Sequence, residues 1–490
     1  MNLYVLLIPI LLPLIGGAVL PLFHFTERKH RQFYIGTVVL LNTIITFLLL
    51  CMRPEGSIVI LNMAGRLEVA LHVDGLGTVF AAIVAGLWPF ATLYAFEYMK
   101  HEGKETKFFS FYTMTYGITM GIAFAANLMT LYMFYEMLTL ITLPLVMHAM
   151  DKKSVRAGRK YVFYSIGGAA FAFIGFIFIL IFGNMDFVYG GSLNMDLIGK
   201  REELLRLMYV FAVLGFGVKA AIFPFHGWLP SASVAPTPVT ALLHAVAVVK
   251  AGAFAIIRIT YYSFGTDFLY GTWAQQVILI FAMVTIVYGS SRAVKEQHIK
   301  KRLAYSTISN LSYIIFGAAL MTPAGLIGSL THMVFHAVMK ITLFFCVGAI
   351  MYKTHREYVS EITGFGKKMP VIMACFTISS LAVIGIPPLA GFISKWNLAS
   401  AAAENGTVLS IIGIGCLLLS ALLTAIYLMT IVVRAYFPSR DFNMEKIADV
   451  EDPNWLMKLP ILVLSIAVIG FGIYAVPLMN FFAKIAAGLI

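Results

Sequence analysis

The sequence predicts an all-α integral membrane protein with about 14 transmembrane helices. Its 490 residues are 60% apolar and only 12% charged, and the mean hydropathy is +0.89. Soluble domains are roughly 45–50% apolar and about 25% charged. Apolar segments of about 20 residues, enough to cross a hydrocarbon core roughly 30 Å thick, recur along the whole chain. A soluble protein of this composition would expose too much apolar surface, so we expect lipid to cover it.

The apolar segments predict the spans one by one, and nothing between them has the composition of a soluble domain. The first segment has no basic region before it and no small-residue cleavage site after it. We therefore expect an uncleaved span rather than a signal peptide. The predicted spans cover approximately residues 3–22, 33–52, 75–96, 108–126, 128–149, 161–183, 205–235, 238–261, 273–291, 303–321, 324–351, 370–402, 408–433 and 459–482.

The basic residues predict how these spans are oriented. If the N-terminus lies outside, the inner connectors hold 24 of the 35 Lys and Arg residues, among them Arg440, and the outer connectors hold seven. Cytoplasmic connectors of membrane proteins carry such an excess. We therefore expect both termini on the outer face of a bacterial or archaeal cell (inner) membrane. The net charge of +12 does not indicate nucleic-acid binding, because no basic run alternates with stacking aromatic residues.

Four lysines fall inside predicted spans. A charged side chain at the bilayer centre costs at least ~2.5–3.5 kcal/mol on insertion scales, so each of these lysines needs a function or a partner. The alternative is that a lysine extends along the lipid until its ammonium reaches the interface, which is easiest near the end of a span. The four are Lys219, Lys250, Lys340 and Lys395, of which Lys340 lies nearest to a span end.

Glu136 is the one acidic residue that falls deep inside a predicted span, in the stretch LYMFYEMLTLITLPL. A lone carboxylate would be protonated by desolvation, whereas a carboxylate beside a lysine can ionise. We therefore expect Glu136 to pair with a buried lysine from another span, and Lys219 is the candidate partner.

Histidines follow the same pattern. His244 follows a proline-rich segment, and His332 and His336 stand four residues apart with Lys340 four residues further, so three titratable groups share one helix face. A proton can use such a stripe as stations, with water between them. The alternative is that the two histidines are hydrogen-bonded packing residues. Zinc is disfavoured, because neither a third ligand nor an HExxH motif accompanies the pair.

Two predicted helices contain prolines that should interrupt them. The first reads GVKAAIFPFHGWLPSASVAPTPV and the second VIGIPPLAGFISKWN, and each carries one of the buried lysines. Proline removes a backbone donor and clashes with the preceding turn. Paired interrupted helices in the two halves of a transporter indicate an ion site between inverted repeats. The interrupting prolines are Pro224 and Pro230 in the first stretch and Pro387 and Pro388 in the second.

At these residues the sequence resembles the proton-conducting antiporter-like subunits of respiratory complex I, of Mrp-type multisubunit Na⁺/H⁺ antiporters and of membrane-bound hydrogenases. The resemblance covers most of the chain and is densest from about residue 74 to 400. The stretches that carry it are VDGLGTVF, YAFEYM, FYEMLTL, KAAIFPFHGWLPSASVAPTPVTALLHAVAVVKAGAFAIIR, HIKKRLAYSTISNLSY, LTHMVFHAVMK and GIPPLAGFISKW.

The resemblance implies an architecture and a set of roles. Glu136 matches the glutamate of span 5 that pairs with the lysine of span 7, here Lys219, and Lys250 matches the central lysine of span 8. Lys395 matches the station on span 12. The remaining expected relay residues are His244, His332, His336 and Lys340. The implied regions are an N-terminal three-helix region over 1–107, inverted five-helix repeats over 108–261 and 273–433 with breaks near 219–235 and 385–395, and a C-terminal helix over 459–482.

Two positions help to place the chain within the family. Complex I subunit M usually carries glutamate where this chain has Lys395, whereas lysine is usual in the D-type subunits of Mrp antiporters, in complex I subunits L and N and in hydrogenase relatives. The residues before Glu136 read MFY rather than the more usual pattern with tryptophan next to the glutamate. The resemblance is therefore strongest to the Mrp D-type subunits and to the ion-pumping subunits of hydrogenase-like complexes.

The expected function is proton translocation, possibly with Na⁺ exchange, by one membrane subunit of a redox-driven complex. The chain has no CxxC pair, P-loop or GxGxxG motif, so we expect no cofactor in it and expect Fe–S, flavin or Ni–Fe centres only in partner subunits. The alternative is the D-type subunit of a Mrp-type antiporter without electron transfer. A third interpretation, a structural or quinone-holding membrane anchor, would leave Glu136 and the buried lysines dispensable.

Overall fold

The computed structural model describes residues 3–25, 27–439, 442–448 and 450–490. Arg440, counted above on the inner side, lies outside these residues. The chain is predominantly helical, at 78%. Within the described residues, ten helices are long and apolar enough to cross a membrane by length and composition.

The described α-helices of nine residues or more are labelled in chain order. They are α1 Ile8–Val19, α2 Arg28–Met52, α3 Gly75–Tyr98, α4 Glu105–Ala123, α5 Leu128–Val146, α6 Lys152–Phe182, α7 Glu202–Lys219, α8 Thr237–Ala245, α9 Val248–Arg258, α10 Trp273–Lys295, α11 Ile299–Ala319, α12 Pro323–Thr354, α13 Pro370–Ile384, α14 Ala390–Asn405, α15 Val408–Tyr436, α16 Trp455–Ile473 and α17 Val476–Ala486.

The difference between ten apolar spans and the fourteen predicted has a physical cause. Three predicted spans, 108–126, 205–235 and 303–321, fall on α4, α7 and α11, which carry many polar or charged residues. Most residues of these three helices are buried against other helices, so lipid does not require them to be apolar. The fourth, 370–402, is divided between α13 and α14. These helices have 15 and 16 residues, so each is too short to be counted as a membrane span by itself.

A β-hairpin corrects the all-α prediction in the first long connector. Strand β1 (Ile58–Ala64) pairs antiparallel with β2 (Leu67–Leu71), and Gly65 adopts φ +58° in the turn. The hairpin is joined to α5 through the Ala70 N–H, which donates to Thr130 Oγ1 at 2.8 Å. The β1 sequence does not alternate between apolar and polar residues. Six of its seven residues are exposed, so β1 has no buried face that would produce such a pattern.

Helix α12 forms the centre of the molecule. Between Gly325 and Ile350 nearly every residue is buried, and α3, α8, α11, α13, α14, α16 and α17 pack around the helix. The helix is therefore shielded from lipid over most of its length. This position places His332, His336 and Lys340 inside protein.

An ion pair joins the start of α3 to the end of α9. Asp74 caps α3 by accepting from the Gly77 N–H at 2.8 Å. Arg258 binds both carboxylate oxygens of Asp74, with 2.6 Å between Nη2 and Oδ1. Arg258 is one of the seven basic residues that the sequence analysis assigns to outer connectors, but it is instead the last residue of α9 and only 1% exposed. Its guanidinium lies within about 5 Å of the ring centroids of Phe187, Phe254 and Tyr262.

Burial alone raises the pKa of the Asp74 carboxyl, but the charge and hydrogen bonds of Arg258, with the Gly77 N–H, outweigh burial and lower the pKa below its ordinary value. The pair therefore stabilises the fold above the ordinary pKa of about 3.9. This contribution is lost as the pH falls through the lower folded value.

We predict that Arg258→Met destabilises the protein strongly, because it leaves the Asp74 carboxylate without its cation. Breaking a buried pair from one side typically costs about 3–5 kcal/mol. The measurement is the midpoint of thermal unfolding of the purified protein in nanodiscs at neutral pH. Arg206→Met is the matched control, because Arg206 pairs with exposed carboxylates of Glu202 and Glu203, and its loss should cost less than about 1 kcal/mol. Equal shifts in the two variants would contradict a structural role for the buried pair.

Candidate functional site

Glu136 and Lys219 form the ion pair that the sequence predicts. Lys219 Nζ lies 3.4 Å from Glu136 Oε1, donates to the Tyr135 carbonyl, and sits 3.4 Å from the centroid of the Tyr135 ring. The Lys219 side chain is 1% exposed, whereas that of Glu136 is 27% exposed. The pair therefore runs from the interior of the helix bundle towards its surface.

The chain leaves the helical path directly after Lys219. Helix α7 ends there, and the next α-helical residues are the short helix Trp228–Ala232 and then α8. The Trp228 indole N–H donates to the Val218 carbonyl at 2.7 Å, and the Ala221 N–H donates to the same carbonyl at 3.0 Å, so this acceptor beside the interruption holds two hydrogen bonds. Pro224 lies in the interruption, as predicted. Pro230 instead lies inside the short helix, near its start, where proline is tolerated.

A second interruption, which the sequence analysis missed, separates His244 from Lys250. Helix α8 ends at Ala245 and α9 begins at Val248, so the predicted span 238–261 is not one continuous helix. No proline or glycine signals this break. A Cβ added to Gly252 would lie 2.5 Å from the Ala220 nitrogen, so glycine is what lets α9 pack against the chain just beyond Lys219.

Lys250 is fully buried, and its ammonium contacts His336 Nδ1 on α12. This contact joins the two halves of the chain at the centre of the protein. His244 is also fully buried, with its ring 4.8 Å from that of Phe344. Among the described residues, neither ring nitrogen of His244 has a hydrogen-bond partner. Buried polar atoms in this situation are normally satisfied by water or by a change of protonation.

The two histidines of α12 continue the path from Lys250. The rings of His336 and His332 are stacked with centroids 5.6 Å apart, and His332 Nδ1 lies 3.0 Å from Ser394 Oγ on α14. The Tyr313 ring also stacks on His332, with the centroids 5.2 Å apart. In the described part of the chain, the Nε2 atoms of both histidines are buried without partners. The pattern of four-residue spacing therefore places these rings in contact with one another.

Lys340, one turn further along α12, is bound differently. It is fully buried, and its ammonium donates to Ser306 Oγ at 2.5 Å. Ser306 in turn lies 2.5 Å from the Tyr427 hydroxyl. The lysine is surrounded by protein, so the alternative that it extends to the lipid interface is wrong.

Lys395 lies beside the interruption between α13 and α14, which contains Pro387 and Pro388 as predicted. Its ammonium donates to the Ile384 carbonyl at 3.0 Å and sits 5.2 Å from the centroid of the Tyr313 ring. The Ile384 carbonyl belongs to the last residue of α13 and has no partner within its own helix. The same tyrosine therefore contacts both Lys395 and His332.

The structure thus brings four predicted residues into one path, Lys250, His336, His332 and Lys395, with the Glu136–Lys219 pair at the far side of α9. Single hydroxyl residues in apolar helices are common, so most of the contacting residues could not be predicted from the sequence. Ser394 is the exception, because it is adjacent to Lys395 in the sequence. The described residues contain no group of His, Cys, Asp and Glu that fits a metal ion. What the path offers is a series of groups that can bind and release protons. The residues that contact the predicted groups and that the sequence analysis missed are Tyr135, Ser306, Tyr313 and Ser394.

Known proteins share this fold. The family described as NADH:quinone oxidoreductase/Mrp antiporter, TM matches residues 125–424. Subunit N of the NADH-quinone oxidoreductase of Desulforudis audaxviator (strain MP104C) is 31% identical to this chain over 426 residues, covering 84% of this chain and 82% of subunit N. Of the similar solved structures, a chain of the archaeal membrane-bound sulfane sulfur reductase has a TM-score of 0.85 at 21% identity, covering 99% of this chain and 97% of its own. A chain of the Mrp complex from Dietzia sp. DQ12-45-1b also has a TM-score of 0.85, at 20% identity, with 100% and 98% covered.

We predict an energetic coupling between Glu136 and Lys219. Glu136→Gln leaves the buried ammonium without its carboxylate and should be the most destabilising member of the set. Adding Lys219→Met should restore part of the loss, because it removes the uncompensated charge. A double-mutant cycle measured by thermal unfolding should give a coupling energy of about 1–3 kcal/mol. The exposed pair Lys353–Glu451 is the matched control, with a coupling below about 1 kcal/mol; additive effects at both pairs would refute a structural ion pair at Glu136.

Proposed function

Because this chain belongs to the NADH:quinone oxidoreductase/Mrp antiporter family of membrane proteins, we propose that it translocates protons as one subunit of a multisubunit, redox-driven membrane complex. The observation that carries the proposal is the contact of Lys250 with His336 at the buried centre of the chain. Two groups that can each bind and release a proton, held in direct contact and away from lipid, suit proton transfer better than packing.

The first proposed step is loading at the Glu136–Lys219 pair. The carboxylate stabilises the ammonium across 3.4 Å. When Glu136 is neutralised or moves away, the ammonium loses that stabilisation inside a desolvated site and releases its proton. Glu136 is partly exposed at the side of the bundle, so a charge on a neighbouring subunit can act on it. This makes the pair suited to coupling with a partner.

The second step carries the proton from Lys250 to Lys395. Lys250 passes it to His336, and the stacked ring of His332 is next. The Ser394 hydroxyl, 3.0 Å from His332, can accept and donate at once and stands one residue before Lys395. His244, six residues before Lys250, and Lys340, one turn beyond His336, flank the path, and we assign them as additional stations for the same proton. Water completes the steps between groups that do not touch.

We further propose the membrane architecture that the resemblance implies. The chain would cross the membrane 14 times, with inverted repeats over 108–261 and 273–433 and both termini on the outer face of a bacterial or archaeal cell membrane. The two interruptions support this, because α7 and α13 each end beside a lysine, the buried Lys219 in one case and the half-buried Lys395 in the other. Corresponding breaks in two halves are what inverted repeats produce.

Partner subunits would supply the driving energy. The NADH-quinone oxidoreductase and the sulfane sulfur reductase to which the chain is similar are named for redox reactions. We propose that Fe–S, flavin or Ni–Fe centres of partners drive this chain, and that further antiporter-like subunits adjoin it. A second candidate is a Mrp-type antiporter subunit without electron transfer, with protons exchanged for Na⁺. The full-length match to the Mrp chain has a TM-score of 0.85, the same as the match to the sulfane sulfur reductase chain, so the fold supports both candidates equally.

We predict that Lys250→Ala abolishes proton translocation while leaving assembly intact. Lys250→Arg should be equally inactive, because a guanidinium keeps the charge but does not release its proton near neutral pH. The measurement is acidification of inside-out vesicles from a strain in which the variant replaces the native gene. Lys200→Ala, at an exposed residue, is the control and should pump normally. Pumping by Lys250→Arg above roughly one tenth of the wild-type rate would eliminate Lys250 as a proton carrier.

The two candidate functions separate by what co-purifies with the chain. After tagging and mild extraction from the native membrane, mass spectrometry should find subunits with Fe–S, flavin or nickel centres if the complex is redox-driven. A set of small hydrophobic partners alone would instead support the antiporter, and electron transfer would then have no part in the mechanism. Recovery of the chain without any membrane partner would contradict both.

A further inference from the structure

A lipid-facing cavity of about 360 Å³ lies behind the central helix. It is bounded by α2, α3, α12, α16 and α17, and Thr78 is the one polar residue among those that line it in the described chain. An apolar cavity of about 150 Å³ stays dry and binds benzene. A buried water needs about two to four polar partners, and this larger cavity has one polar residue in the lining that the structure describes. A hydrocarbon is therefore the natural occupant.

The length and position of the cavity fit one leaflet of the bilayer. Its lining residues on α3 run from Thr78 to Phe90, which at 1.5 Å per residue is about 18 Å. Half of a hydrocarbon core roughly 30 Å thick is about 15 Å. Thr78 lies one turn from the start of α3, at the same end of the bundle as the end of α2. The cavity therefore begins at the membrane surface and runs towards the midplane.

Positive charge marks that end of the cavity. Arg53 directly follows α2, is exposed, and its guanidinium lies 5.1 Å from the centroid of the Phe481 ring, which lines the cavity. No carboxylate in the described part of the chain pairs with Arg53. Lys484, exposed one turn beyond Phe481 on α17, adds a second charge. Basic side chains next to lipid attract anionic headgroups.

We infer that this cavity is a binding site for one anionic phospholipid, with its phosphate at Arg53 and one acyl chain between α2, α3 and α17. The acyl chain packs against Val334 and Val338 of α12. These two valines lie on the face of α12 opposite His332 and His336, since a step of two residues turns a helix by about 200°. The lipid thus supports the central helix from behind and contacts none of the groups assigned to proton transfer.

The test is photolabelling of the intact complex in phosphatidylcholine vesicles that contain phosphatidylglycerol with a diazirine on its acyl chain. Peptides from α2, α3 and α17 should carry the label. Gly86→Leu should lower it about tenfold, the effect of losing two buried methylene groups. Gly86 lines the cavity, and a Cβ there would have only Phe47 Cζ within 4 Å, at 3.8 Å, so the backbone accepts a side chain that points into the cavity without a clash at Cβ. Gly415→Leu, on α15 with open space around it, is the matched control and should leave the label unchanged.

Arg53→Gln tests the headgroup separately. It should lower labelling by the phosphatidylglycerol probe about fivefold and leave labelling by a diazirine diacylglycerol, which has no phosphate, unchanged. Equal labelling of wild type and Gly86→Leu would overturn the site. So would label confined to lipid-facing α15, or crosslinks that show a helix of a neighbouring subunit seated in the cavity. These outcomes concern the cavity alone and are independent of whether Lys250 carries protons.

Discussion

The structure depends on one constraint, which is that a charged side chain surrounded by lipid must find its solvation inside the protein. The lysines inside the helix bundle meet the constraint with different groups. Lys219 has a carboxylate, a carbonyl and a ring face, Lys340 has the Ser306 hydroxyl, and Lys395 has the carbonyl of Ile384. Arg258 uses the Asp74 carboxylate. The helices are arranged so that each cation reaches such a group without leaving the bundle.

Interrupted helices are the means by which the backbone takes part in this solvation. A continuous helix uses its carbonyl groups internally, whereas the last turn of a broken helix leaves them free. The free Ile384 carbonyl binds Lys395, and the Val218 carbonyl beside the other interruption accepts from the Trp228 indole as well as from the Ala221 N–H. Glycine lets the start of α14 approach the end of α13 closely, because a Cβ at Gly391 would lie 1.8 Å from the Ala382 carbonyl oxygen. Proline, glycine and lysine therefore act together at these sites.

The sequence predicted contacts correctly where an unpaired charge would be costly or where the two residues are close in the same helix. A single acid and a lysine within lipid-spanning segments must pair, which predicts Glu136 with Lys219, and four-residue spacing puts His332 beside His336. It failed where the partner comes from a distant helix. The Lys250–His336 contact joins residues 86 positions apart, and no local pattern specifies it. The polar composition of α4, α7 and α11 has a related cause, since a helix enclosed by protein is free to be polar.

Lys250 stands apart from the other buried lysines because its partner is a nitrogen base rather than an oxygen. If the lysine is protonated, its ammonium donates to His336 Nδ1 and the imidazole stays neutral with its hydrogen on Nε2. If the proton moves to the ring, the lysine becomes a neutral amine. Two protons would place two like charges in contact inside a desolvated core, which costs several kcal/mol. On the proposed path the pair would therefore hold one proton at a time, and His332 would have to accept that proton before Lys250 takes up the next.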